Sequence, residues 1–372
     1  MASQYRQRIE RLLAGTGVTI DGKEPWDIRV KDDRFYARVL AEGALGFGEA
    51  YMDGWWECDR TDECINKVMR SDVRSKLRVS PGILFDYLLS RLINRQALGS
   101  AAKNAQAHYD LGNDLFTAML DKRLVYTCGY WKDATTLDAA QEAKLDLVCR
   151  KLSLKAGQRV LDIGCGWGSF AKFAAEKYGA HVVGVTVSPA QVELGKKLCA
   201  GLPVELRLQD YREVNERFDH IVSLGMLEHV GYKNYRTYFQ LARRCLKDDG
   251  LFLLHTIGSA VTTNTIDPWM GKYIFPNGTI PSGAQLSAAA EKLFIMEDWH
   301  NFSADYDTTL MAWHANFEAH WPQLKEKYDE RFRRMWRHYL LICAGAFRAR
   351  ANQLWQIVYS PHGVPGGYRS VR

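Results

Sequence analysis

The run Val160-Leu161-Asp162-Ile163-Gly164-Cys165-Gly166-Trp167-Gly168-Ser169 constrains the fold of this 372-residue chain more than any other segment. A short apolar stretch leads directly into three glycines at alternate positions and then into residues of helical pattern. Glycine lacks a Cβ, so such a turn can take positive φ and let the backbone approach a ligand, while the N–H groups that open the next helix face it. A strand, a glycine turn and a helix in this order place a nucleoside-type ligand site here.

The spacing narrows the ligand. A dinucleotide fingerprint reads G-x-G-x-x-G, whereas this chain reads G-x-G-x-G after Asp162. The pattern favours S-adenosylmethionine over NAD. The end of the next expected strand, Gly184-Val185-Thr186-Val187-Ser188, also lacks the Asp or Glu that would hold ribose hydroxyls, so Gln191 and the neighbouring hydroxyls are the candidates for that contact.

Downstream of Leu145 the pattern alternates. It predicts strands at 159–163, 181–187, 203–208, 218–224 and 250–257, with helices at 169–178, 189–199 and 234–246 between them. Strands separated by helices imply a doubly wound parallel sheet, which binds ligands beyond the carboxyl ends of its strands. The glycine turn follows the first strand, and Thr186, Ser188 and Gln191 follow the second. Asp210 and Tyr211 follow the third, Glu228 and His229 the fourth, and His255 lies at the fifth. Taken singly, Ser188 also fits a helix N-cap, Asp210 a turn former and His255 a satisfied core histidine. Their joint placement at one edge points to a binding rim.

The fold class read from these features is α/β. It comprises a Rossmann-like sheet domain over 101–372 and a smaller, mainly helical N-terminal domain over 1–100. Residues 83–93 read as an amphipathic helix and 99–102 as a linker. Composition agrees with a globular chain: 47% of residues are hydrophobic and 25% charged. The eight cysteines include no C-x-x-C pair and the start shows no secretory pattern, so disulfides and structural zinc are not expected and a cytoplasmic setting is. No metal site is expected. The net charge of +6 is concentrated from Pro322 onward, where ten Lys/Arg stand against three Asp/Glu. That excess fits an anionic partner surface, lipid headgroups or nucleic acid, and equally a solvated basic helix.

Further strings share one likeness. His108-Tyr109-Asp110-Leu111-Gly112-Asn113-Asp114, Tyr126-Thr127-Cys128-Gly129-Tyr130-Trp131, the glycine loop, Gln209-Asp210-Tyr211-Arg212, Glu228-His229-Val230-Gly231 and Ala344-Gly345-Ala346-Phe347-Arg348 resemble bacterial cyclopropane-fatty-acyl-phospholipid synthases. So does Gly48-Glu49-Ala50-Tyr51-Met52-Asp53-Gly54-Trp55-Trp56 near the start. The resemblance covers nearly the whole chain and implies a class I methyltransferase sheet. It also implies an enzyme that adds a methylene group from S-adenosylmethionine across a cis double bond of a membrane phospholipid acyl chain.

The same resemblance implies a bound bicarbonate as base, held through backbone groups of Cys128 and Ile257 and through the side chains of Glu228, His255 and Tyr306. It implies cofactor contacts from Tyr126 and Thr127 at the methionine end, Gly164, Gly166 and Gly168 beneath it, Thr186, Ser188 and Gln191 near the ribose, and Asp210 and Tyr211 at the adenine. It gives Cys343 an active-site role. The residues alone read Cys343 as one of a helical apolar face, with Phe332, Met335, Trp336, Tyr339 and Leu340, and show nothing that would lower its pKa. A homodimer, transient attachment to the inner face of the membrane and no nucleic-acid partner complete the expectations. Trp55 and Trp56 read as core residues or as apolar anchors.

Overall fold

The computed structural model describes residues 2–71 and 112–372, which fall into two compact units. The described parts of the first are residues 2–71, Thr265–Pro276 and Tyr306–Asn352; those of the second are residues 112–264, Asn277–Asp305 and Gln353–Arg372. The domain boundary expected near residue 100, the helix read over 83–93, the linker at 99–102 and the string 108–111 lie outside the described residues.

In chain order the elements are α1 (Ala2–Leu13), β1 (Arg29–Val30), α2 (Arg34–Glu42), α3 (Ala44–Met52), β2 (Trp56–Glu57), α4 (Thr61–Arg70), α5 (Asn113–Met119) and α6 (Leu137–Lys151). Then come β3 (Arg159–Ile163), α7 (Ser169–Tyr178), β4 (His181–Thr186), α8 (Pro189–Leu198), β5 (Val204–Leu208), β6 (Phe218–Leu224), α9 (Tyr235–Cys245) and β7 (Leu246–Gly258). The last are α10 (Pro268–Tyr273), α11 (Gly283–Ala290), β8 (Ile295–Asn301), α12 (Ala304–Leu324), α13 (Glu330–Arg348) and β9 (Gln353–Ser360).

The second unit is built on a seven-stranded sheet of order β5-β4-β3-β6-β7-β9-β8. The first five strands are parallel, while β9 runs antiparallel to both of its neighbours. The all-parallel expectation therefore stops at β7, and β8 and β9 extend the sheet.

Residue alternation explains why helices cover both faces. Val160, Val182, Leu206, Val222, Leu253 and Val358 pack into one core with Leu145, Val148 and Cys149 of α6 and Phe170, Ala171 and Phe173 of α7. The intervening Leu161, Ile163, Val183, Val185, Ile221, Leu254 and Ile357 pack into the other, with Tyr235, Tyr238, Phe239 and Ala242 of α9 and Leu286 of α11. Asp162 shares the parity of Val160 and so faces the α6 side. Local signals place the helix starts: Thr136 caps α6 by accepting from Ala139 N, Ser188 caps α8 with Pro189 next, and Ser282 forms a capping box with Gln285.

In the first unit Phe35, Tyr36, Tyr51, Trp56, Ile9, Val18 and Ile28 form the core beside the short β1–β2 ladder. Trp56 is fully buried, and Trp55 is covered by the guanidinium groups of Arg34 and Arg38 at 4.5 and 5.0 Å, so both tryptophans serve packing and neither is an exposed anchor. α13 lies so close to α4 that a Cβ on Gly345 would stand 2.4 Å from the Asp62 carbonyl oxygen. Arg348 then bridges Asp62 at 2.6 Å and Asp307 at 2.8 Å.

Part of the C-terminal basic excess is ion-paired. Arg331 pairs with Asp53 at 3.0 Å, Arg333 with Glu318 at 2.5 Å and Arg334 with Glu57 at 2.7 Å, and Arg372 in the other unit pairs with Asp298 at 2.5 Å. Among the described residues no helix is long and apolar enough to cross a membrane, and no cluster of His, Cys, Asp and Glu could hold a metal ion.

Candidate active site

The glycine loop follows β3 at the carboxyl edge of the sheet. Gly164, Gly166 and Gly168 have φ of +80, +56 and +80°, which a side chain would strain. Their surroundings differ. A Cβ on Gly164 would meet Met226 Cγ at 2.5 Å and one on Gly168 would meet Leu206 Cδ1 at 3.0 Å, but one on Gly166 meets nothing within 4 Å. The outer two glycines are packed into the protein and the middle one faces open space, as a loop that receives a ligand requires. The turn is held from below, where Gly164 N and Cys165 N donate to the Val185 carbonyl at 2.9 and 3.1 Å.

The next groups along this edge are bonded to one another. Thr186 Oγ1 donates to Gln191 Oε1 at 2.9 Å, Ser188 N donates to Thr186 Oγ1 at 3.3 Å, and Gln191 N donates to Ser188 Oγ at 3.4 Å. After β5, Asp210 accepts from Arg212 N at 3.0 Å, Nε at 2.8 Å and Nη2 at 2.5 Å, and this pairing outweighs burial to hold its carboxyl below the usual range. The Tyr211 ring packs edge-on against Tyr238 at 5.3 Å, and burial pushes its hydroxyl up to about 12.

Beyond β6 and β7 the chemistry changes. Ile257 N donates to Glu228 Oε1 at 2.7 Å, so this backbone group orients the carboxyl. Glu228 Oε2 is buried with no hydrogen-bond partner among the described residues. Burial pushes the Glu228 carboxyl up to about 7. His255 is 1% exposed, its Nδ1 lies 3.3 Å from Gln356 Nε2, and its Nε2 is likewise buried without a partner among the described residues. Burial, helped by the nearby Lys144 and Lys151 charges, holds the imidazole well below its usual range and therefore neutral.

Gly225 N donates to the His255 carbonyl at 2.9 Å, tying the β6 and β7 ends together. Cys128 is fully buried, and its thiol donates to the Gly129 carbonyl at 3.1 Å. Tyr126 packs edge-on against Phe116 at 5.1 Å, which in turn packs against Trp167 of the glycine loop at 5.1 Å.

Tyr306 and Cys343 belong to the first unit. The Tyr306 ring stacks on Phe347 at 4.5 Å and meets Trp313 edge-on at 6.0 Å. Cys343 is partly exposed as a residue, but its thiol is enclosed, and burial pushes it up to about 12.

Three buried polar residues of α6 escaped the sequence reading: Gln141, Lys144 and Lys151. They fall at helical spacing on the covered face of α6. Gln141 Nε2 donates to the Thr127 carbonyl at 2.7 Å, Lys144 Nζ donates to Thr127 Oγ1 at 2.6 Å, and Lys151 Nζ lies 3.0 Å from His300 Nδ1. Their spacing was the available signal, masked because polar residues occur all round this helix. Gln356 was missed because its strand was missed.

The glycine rim fits a nucleoside ligand with an amino-acid end, because Gly166 opens to space beside hydroxyl, amide and carboxylate groups. Glu228 Oε2 and His255 Nε2 are thus two buried polar atoms left for an outside hydrogen-bond partner at the ends of neighbouring strands.

Residues 96–357 match the family model for mycolic acid cyclopropane synthetase. The cyclopropane-fatty-acyl-phospholipid synthase of Escherichia coli K12 is 54% identical over 364 residues, covering 97% of this chain and 94% of that protein. The chain belongs to the cyclopropane synthase family.

It is accordingly an S-adenosylmethionine-dependent transferase. The crystal structure of the mycolic acid cyclopropane synthase CmaA1 complexed with SAH and CTAB is 33% identical, with a TM-score of 0.65 over 69% of this chain and 97% of that one. Coclaurine N-methyltransferase, at 23% identity and a TM-score of 0.70 over 84% of this chain and 98% of that one, shares the fold. The sheet is that of a class I methyltransferase.

Proposed function

We propose that this member of the family transfers a methylene group from S-adenosylmethionine to the cis double bond of an unsaturated phospholipid acyl chain and closes a cyclopropane ring, with bicarbonate as the base. The observation that carries this reading is the buried, partly unpartnered Glu228 and His255 pair on the same sheet edge as the open Gly166.

S-adenosylmethionine supplies an electrophilic methyl group, and bicarbonate supplies a proton acceptor small enough to stand beside the reacting carbons. An alkene is a weak nucleophile, and the carbocation left after methyl addition must be kept from water. A proton then leaves the added methyl carbon and the bonding pair closes the ring. The chain's own groups serve these steps by placement. Ile257 N–H fixes the Glu228 carboxyl, leaving Oε2 to bind the anion; Gln356 fixes the His255 ring, leaving Nε2 for the same task. Around the imidazole, Phe302 stands 5.9 Å away and Tyr130 packs on Phe302 at 5.3 Å, an apolar wall whose ring faces tolerate positive charge.

By resemblance, Tyr306 and Cys343 also have active-site roles, Cys128 and Ile257 contribute backbone groups, and Tyr126, Thr127, Thr186, Ser188, Gln191, Asp210 and Tyr211 line the cofactor. With its thiol protonated, Cys343 acts through shape and not as a nucleophile. The helical unit over the N-terminal residues docks lipid or joins two copies, and the protein works as a cytoplasmic homodimer that attaches reversibly to the membrane.

The test is incubation of the purified protein with S-adenosylmethionine and unsaturated phospholipid vesicles, followed by mass spectrometry. Acyl chains heavier by one CH₂ and lacking an olefin are expected. An unchanged lipid pool from protein that binds the cofactor contradicts the proposal. Sedimentation with vesicles, set against duplex DNA, checks the partner surface.

A further inference from the structure

Lys144 is 0% exposed, a rare place for an ammonium group, and its Nζ donates to Thr127 Oγ1 at 2.6 Å. Thr127 is fixed from two other directions. A Cβ on Gly225 would fall 2.7 Å from the Thr127 methyl, so that methyl is seated against the Gly225 backbone. Gln141 Nε2 holds the Thr127 carbonyl at 2.7 Å. One rotamer satisfies both side-chain contacts while Gln141 fixes the backbone.

The direction of the hydrogen bond matters. An ammonium group donates and cannot accept. Thr127 Oγ1 is therefore the acceptor toward Lys144, and its own proton must go to another acceptor. Thr127 is only half-buried, so that proton can reach the open side of the site while Lys144 stands behind it. A charged donor on Oγ1 also polarises the O–H and makes it a stronger donor. Burial lowers the Lys144 ammonium to about 8 while Asp121 and Asp162 favour its charge, so near pH 7 it stays largely protonated and donates; Asp162 faces the α6 side of the sheet with Oδ2 buried and unpartnered among the described residues.

We propose that Lys144 is a positioning residue that makes Thr127 an obligate hydrogen-bond donor and, with it, reads the carboxylate at the amino-acid end of the cofactor. The inference rests on the reading of this rim as the S-adenosylmethionine site. It explains why a charge is retained where an apolar side chain would cost less.

Calorimetric titration with S-adenosylhomocysteine and with its decarboxylated analogue, which keeps the nucleoside, sulfur and amine, tests it. Lys144→Met is expected to weaken S-adenosylhomocysteine by about 10- to 100-fold and to leave the decarboxylated analogue unchanged. Thr127→Val should reproduce that pattern, Thr127→Ser should restore wild-type binding, and the Lys144→Met, Thr127→Val double variant should lose no more than either alone. Equal weakening of both ligands, or no weakening of S-adenosylhomocysteine, overturns the proposal; if Lys144→Met does not fold, Thr127→Val against Thr127→Ser decides it. Wild-type protein that binds neither ligand would instead show that the cofactor reading itself is wrong.

Discussion

The polar groups that follow β4 and β5 and those that follow β6 and β7 stand on one edge of one sheet, yet they are satisfied in opposite ways. On the first side Thr186, Ser188 and Gln191 bond to one another and Asp210 is held by Arg212. On the second, Glu228 and His255 each keep one buried atom without a partner among the described residues. A buried polar atom left in this way costs roughly 1–3 kcal/mol. The first side is a set of caps and turns assembled by the chain's own hydrogen bonds. The second is built at a cost to the fold, which points to a ligand as its complement.

Substitutions on the two sides therefore separate turnover from binding and from stability. The largest effect is expected for Glu228→Gln, which should lower turnover by about 10²–10⁴-fold while changing S-adenosylhomocysteine affinity no more than about threefold. Single-turnover product formation and calorimetry measure the two. A comparable loss in both would erase the distinction.

The next effect is a pH dependence of stability. Burial raises Asp162 from 3.8 to about 7 and Glu228 from 4.5 to about 7. The folded state therefore keeps protons that the unfolded chain has released, so stability from these groups is full below their unfolded values and falls as pH rises toward about 7. Each group contributes a slope of at most about 1.4 kcal/mol per pH unit. Urea unfolding from pH 4.5 to 7.5 should show a shallower decline for Asp162→Asn than for wild type. An identical slope would place the Asp162 carboxyl in a less buried setting.

A smaller, sharper comparison lies within the glycine loop. Gly164→Ala drives a Cβ into Met226 and should cost roughly 1–3 kcal/mol of stability. Gly166→Ala meets open space and should cost about 1 kcal/mol from its positive φ while losing most cofactor affinity. Thermal unfolding with and without S-adenosylhomocysteine distinguishes them. The smallest effect is expected for Thr186→Val, which opens the bond to Gln191 and should cost about 1 kcal/mol with turnover on bound cofactor unchanged.

The same contrast explains what the residues disclosed before any coordinates. β3 and β6 were read at their observed bounds because apolar runs meet a glycine turn or a polar set at each end. α8 was read from Ser188-Pro189, a local cap. β8 and β9 were missed: Ile295–Asn301 is an edge strand with charges on its face, and Gln353–Ser360 returns antiparallel after α13, outside the helix-strand alternation. The placement of 306–352 in the unit of the N-terminal residues depends on Arg348 with Asp62 and on the close approach at Gly345, contacts that join positions far apart in the chain. At the site, Glu228 and His255 could be named from their position after strands. That each would retain an unsatisfied atom, and that Lys144 would stand behind Thr127, depends on packing that no local pattern reports.

The most direct measurement is ring formation in carbonate-depleted buffer, with bicarbonate then added back, for wild type and Glu228→Gln. Wild-type turnover should collapse on depletion and recover with bicarbonate, while Glu228→Gln should stay low and respond weakly. Full wild-type turnover without carbonate would show that Glu228 and His255 do not hold an anionic base.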